Sequence, residues 1–151
     1  MKKNVVLLIA FAIIVPCLMS FTKYSKTGDF TLKITKIDMK KTPQSGDWRA
    51  GCRISQEAEK DNQDSWHGGE NKYDGPDASL PVNLELSGLN SGEMMSLFIG
   101  LDDDAEDAGN ESKSEDKLYV KFKVFGTGDK EKLYSYSSGD WSIVVHYTLK
   151  K

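Results

Sequence analysis

The sequence predicts an all-β fold, an antiparallel β-sandwich of about seven or eight strands in a single domain, and three observations carry that expectation. Apolar and polar residues alternate with a period of two in segment after segment, the spacing that gives a strand one buried and one solvated face. Clusters of Gly, Asn, Asp and Ser separate those segments, and these are the residues that close turns. Helical spacing is nowhere sustained.

The first residues stand apart from this pattern. "MKKNVVLLIAFAIIVPCLMSFTK" carries two lysines, an apolar run from Val5 to Val15, then Pro16 and small or polar residues, the layout of a secretory signal peptide. The run is shorter than the roughly 20 apolar residues that a membrane span needs. Cleavage after Ser20 is expected, which makes residues 1–20 a signal and residues 21–151 the working domain. The expected location is secreted or periplasmic. An uncleaved anchor, or lipidation at Cys17, is the alternative, although Pro16 stands where a lipoprotein signal carries a small residue. Without Lys2 and Lys3 the domain keeps 18 of the 20 bases against 23 acids, a net charge of −5. That sign disfavours nucleic acid and anionic lipid as partners. Cys52 is then the lone thiol, so stability rests on a packed core, and its place in an alternating segment predicts an inert buried side chain.

The strands follow in order. Phe30, Leu32 and Ile34 alternate with Thr31, Lys33 and Thr35; Trp48, Ala50, Cys52 and Ile54 form a second run, and Val82, Leu84 and Leu86 a third. "EMMSLFIGL", Glu93 to Leu101, fits both periods, and Gly100 with its β-rich neighbours favours strand. Leu118, Val120, Phe122 and Val124 alternate with Tyr119, Lys121 and Lys123. The last run is Trp141, Ile143, Val145, Tyr147 and Leu149. "SGDW" occurs twice, at Ser45–Trp48 and Ser138–Trp141; the sequences diverge after each tryptophan, so it reads as a reused turn before an aromatic strand opener, with both tryptophans in the core.

Two long irregular stretches remain, residues 57–81 and the segment after Gly100, and long loops in compact domains are often functional. "GLDDDAEDAGNESKSEDKLY" packs eight acids into twenty residues. Clustered carboxylates repel one another unless water spreads them or a cation bridges them, and Ca²⁺ accepts six to eight oxygens in a flexible shell. Asp102 and Asp104, alternate residues at a strand end, project to one side. A solvated connection is the other reading of the same residues. An EF-hand register starting at Asp104 reaches Glu115 at its twelfth position, but Ala108 lacks the oxygen needed at the fifth, and a strand follows where a helix should leave.

"KIDMKKTPQSGDWRAGCRI" and "FIGLDDDAED" together resemble the two aspartate-bearing loops of the C2 family of calcium-dependent modules. The resemblance implies a sandwich with calcium at one tip, held by Asp38 and Asp47 from the first loop and Asp102 and Asp104 from the second; Asp107 of the acidic stretch completes the expected ligand set. No basic membrane-docking patch accompanies these loops, so lipid binding is not implied.

In the other long stretch, Trp66, His67 and Tyr73 lie amid "DSWHGGENKYDGPD", and Trp66 and Tyr73 are candidates for an exposed aromatic surface that takes a protein or carbohydrate partner. Catalysis is not expected. Imidazoles are limited to His67 and His146, and the nucleophile, zinc and phosphate-loop motifs are missing from the sequence. The functional expectation is therefore an exported, non-catalytic binding module with a calcium site. The alternative is a metal-independent, envelope-associated adaptor or inhibitor, or a carbohydrate-binding module, acting through the aromatic loop 57–81.

Overall fold

The computed structural model describes residues 28–125 and 128–151; the expected signal peptide lies outside them. Among the described residues ten strands build the fold: β1 (Phe30–Lys41), β2 (Asp47–Gln56), β3 (Gln63–His67), β4 (Tyr73–Asp74), β5 (Ala78–Leu80), β6 (Leu84–Leu89), β7 (Met94–Asp102), β8 (Asp116–Lys123), β9 (Gly128–Ser138) and β10 (Trp141–Lys150). They form two five-stranded antiparallel sheets packed face to face, the expected sandwich. Among the described residues no helix is long and apolar enough to cross a membrane.

The first sheet runs β1–β10–β9, with β6 and β5 in tandem on the other side of β1. β6 pairs with its first half, around Leu32 and Ile34, and β5 with its second half, around Ile37 and Met39. The second sheet repeats the device: β2 pairs along one side with β7 and then β8, and along the other with β3 and β4. The connections β1–β2, β4–β5, β6–β7 and β8–β9 carry the chain from one sheet to the other.

The core is where the alternation placed it. Leu32, Ile34, Ile37 and Met39 of β1, Trp48, Ala50 and Ile54 of β2, and Leu97, Ile99 and Leu101 of β7 have almost no exposure, as do Ile143, Val145 and Leu149 of β10. Each buried Leu, Ile, Val or Met among them contributes about 1.5–3 kcal/mol by leaving water. Cys52 is buried among them and is free; burial pushes its thiol far above the usual range, which leaves it inert. Both tryptophans of the repeated "SGDW" turn inward: Trp48 is fully buried and donates from Nε1 to the Gly75 carbonyl at 3.3 Å, and Trp141 packs against the core.

Two differences from the sequence reading concern edges. The 57–81 stretch is not irregular throughout, because β3, β4 and β5 lie in it, each short enough to escape a periodicity test. β9 carries one inward pair, Tyr134 and Tyr136, among exposed Lys, Glu and Ser, so its alternation is faint. Tyr134 stacks on Phe122 of β8 at 4.7 Å between centroids, which ties the two sheets together beside their last strands.

Candidate functional site: a clamped acidic loop beside a polar cleft

Many residues between β7 and β8 are exposed, yet the segment does not extend away from the strand ends. It folds back onto the outer face of the second sheet, and the sequence of that face explains why it can. Gly51 of β2 and Gly100 of β7 are cross-strand partners. With no side chain at either position, the face has a shallow seat, and Gly109 of the loop sits in it: a Cβ built on Gly51 would lie 2.5 Å from the Gly109 Cα. Gly109 itself has φ of +80°, a conformation glycine adopts without strain. A Cβ on Gly100 would collide with Ser114 Oγ and stand 3.0 Å from Gly109 N. Beneath the loop lies a small second core. Ala108 is fully buried, and Phe98, which points away from the main core, is only 3% exposed. Tyr119 of β8 tilts against Phe98 at 5.1 Å, and the Arg53 guanidinium lies 5.7 Å from the same ring.

Six of the eight acids that suggested a cation site are engaged from within the protein. Asp102, 4% exposed, accepts from Asp104 N at 2.8 Å through one oxygen and from Glu115 N at 3.0 Å through the other, so one carboxylate holds both ends of the loop. Asp104 accepts from Glu106 N at 2.7 Å, an Asx-type turn. Asp107 takes the Lys113 ammonium at 2.6 Å, which raises that lysine's pKa, and Glu111 pairs with Arg53, whose hydrogen bond and charge hold the Glu111 carboxyl below its ordinary range. Gln44 donates to Asp116 at 2.6 Å and to Glu115 at 3.3 Å. Arg49 donates to the Asp103 carbonyl and lies 3.7 Å from Glu70. It lines a depression of about 230 Å³ with Glu70, Asp103, Asp104 and Glu106, so a guanidinium stands among the acids there.

The five expected calcium ligands do not converge. Asp38 lies mid-way along β1 on the outer face of the other sheet, between the buried Ile37 and Met39, and bonds to Ser79, His146 and Lys36. Asp47 opens β2 opposite Asp74 and lies 3.8 Å from Lys72. Asp102, Asp104 and Asp107 share the loop but aim at the separate donors just described. Among the described residues no three His, Cys, Asp or Glu side chains are arranged to hold a metal ion.

Trp66 and Tyr73 are partly buried and lean on the core rather than standing out as an aromatic platform. Tyr73 stacks on Trp48 at 5.0 Å between centroids, and burial raises its phenol pKa. What the β3 region does offer is a cleft of about 540 Å³, on the β2–β3 side of the loop. Arg53 of β2, the β3 residues from Gln63 to His67, and Gly109 line it. The strand pairing sets this row: Ser65 stands opposite Arg53 and His67 opposite Gly51. Period-two reading of β3 would have placed Gln63, Ser65 and His67 on one face; the contribution of Gly109 had no local signal. No protein-family model and no curated protein matches the chain.

Proposed function

We propose that the chain is a non-catalytic binding module, exported as its first residues suggest, whose contact site is the cleft between β3 and the clamped loop. The observation that supports this most is the concave site itself: a cleft of ligand-pocket size with one wall on a sheet strand and the other on a loop fixed by the Asp102 carboxylate and the Gly51–Gly100 seat. Both walls are held before any ligand arrives, which lowers the ordering cost of binding. The groups available are a guanidinium, an amide, a hydroxyl and an imidazole, from Arg53, Gln63, Ser65 and His67. They suit a hydrogen-bonding ligand, a carbohydrate or a segment of a protein partner. Trp66 acts by bracing β3 against the core.

The test is to fill the cleft without touching the core. Ser65 is exposed on β3, and tryptophan suits a strand there. A panel of soluble oligosaccharides and extended peptides, screened by binding-induced shifts in amide resonances, should give ligands that shift Arg53, Ser65 and His67. Ser65→Trp should abolish those shifts at an unchanged melting temperature. Ligands whose resonance changes map to other surfaces, or that bind Ser65→Trp as well as wild type, would refute the assignment.

A further inference from the structure

On the outer face of the first sheet, away from the cleft, a single imidazole is set between two carboxylates from different strands. His146 of β10 is 12% exposed; its Nε2 lies 2.9 Å from Asp38 Oδ2 of β1 and its Nδ1 lies 3.1 Å from Glu131 Oε2 of β9. The strand order is β1–β10–β9, so this one ring spans the sheet from its second strand to its edge. Asp38, 13% exposed, is itself fixed by the Ser79 hydroxyl of β5 and by Lys36 at 3.3 Å. Glu131 is 54% exposed and is held on this face through His146.

We infer that His146 is a proton-operated latch that ties edge strand β9 to β1 across β10. A neutral imidazole has one N–H and can donate to one carboxylate; the imidazolium has two and can donate to both. Asp38, the more buried and better supported acceptor, keeps the single proton of the neutral ring. Nδ1 is then a bare lone pair facing the Glu131 carboxylate, and the contact turns from attraction to repulsion. The present geometry fits a contact of that kind: Nδ1 is buried and at ion-pair distance from Glu131, but off the line of a hydrogen bond.

The charges around the ring agree. From β1, Lys36 stands opposite His146 in register and Asp38 bonds to it, while Lys33 is opposite Thr148, the next outward position of β10. β9 brings Glu131, and Asp129, which is 3.0 Å from Lys150 of β10. β5 contributes the uncharged Ser79. With Asp129 and Lys150 paired to each other and Lys33 set opposite Glu85 of β6, Lys36, His146, Asp38 and Glu131 balance only when the ring is protonated. Loss of the ring proton leaves one carboxylate in excess, and the exposed Glu131 is the one free to leave.

Amide hydrogen exchange of the whole chain, corrected for intrinsic rates, reads this directly at pH 5 and pH 8, which bracket the range where imidazoles ordinarily titrate. Protection of residues 130–136 should fall about two- to five-fold at the higher pH, the scale of one partly exposed ion pair. The β1–β6 ladder should not follow. Glu131→Gln, an isosteric change at an exposed site, should flatten the β9 profile. His146→Gln should hold β9 at its loosened level at both pH values. The same pH profile in wild type and Glu131→Gln, or an equal loss of protection across both sheets, would overturn the latch.

Discussion

If the loop between β7 and β8 rests on a seat made by missing side chains, one methyl group should unseat it. In Gly51→Ala the new Cβ meets the Gly109 Cα at 2.5 Å and the Ala108 carbonyl oxygen and Gly109 N at 3.0 Å. All three are backbone atoms, so no rotamer change relieves the contact. Either β2 bends out of its pairing with β7, or the loop lifts and uncovers Ala108 and part of Phe98. Overpacking of this kind costs about 1–3 kcal/mol. Removing a glycine from a strand interior returns roughly 0.5–1 kcal/mol. The net loss centres on about 1 kcal/mol, and for a domain of this size that lowers the melting temperature by roughly 3–5 °C. Thermal unfolding followed by circular dichroism measures it. Gly46→Ala is the control, because a Cβ there meets nothing within 4 Å; it should leave stability unchanged or slightly higher. A Gly51→Ala protein as stable as wild type would refute the seat.

Two further outcomes follow from the same geometry. Asp102→Ala removes the acceptor of two backbone N–H groups, from Asp104 and Glu115, and should destabilise by about 1–3 kcal/mol in urea unfolding, with Asp102→Asn costing less because one oxygen remains. Equal stability of all three proteins would contradict the clamp. For Asp38, burial pulls the carboxyl pKa upward, but the donors Ser79, His146 and Lys36 outweigh it and hold the pKa down to about 2, against 3.8 for the free side chain. A depressed carboxylate pKa adds stability above the unfolded value, and that contribution disappears as pH falls from about 4 towards 2; near the surface it amounts to roughly 1–2 kcal/mol. Asp38→Asn should therefore lose stability at pH 6 and show a shallower decline through that acid window. A parallel decline would show that the carboxylate is not depressed.

The sandwich was legible because most of its long strands bury one face and expose the other. β1, β2, β8 and β10 alternate, and a period of two sustained along a strand admits few other readings; β7 fits both periods and was settled by Gly100 and its β-rich neighbours. The strands that were missed are those with little to bury: β3, β4 and β5 are edge pieces of two to five residues, and β9 shows the core only Tyr134 and Tyr136. The acidic loop was legible as a special feature but not as a folded one. Its composition predicts repulsion in water, whereas its fate depends on Gly51, Arg53 and Gln44, donors and seats more than fifty residues earlier in the chain. Asp38 and His146 were hidden for the same reason. They are 108 residues apart and meet only through the β1–β10 register.

The most direct test of a loop fixed by its own protein is amide exchange across residues 103–115 in buffer with a calcium chelator. Ser114 N bonds to the Asn110 carbonyl at 2.9 Å, Ala108 N to the Asp104 carbonyl at 3.0 Å, and Glu115 N to Asp102. These three amides should exchange slowly without metal, and millimolar calcium should change neither their rates nor the melting temperature. Exchange at unfolded-chain rates in chelator, with protection appearing only when calcium is added, would mean that the acids await an ion and that the clamp described here does not exist.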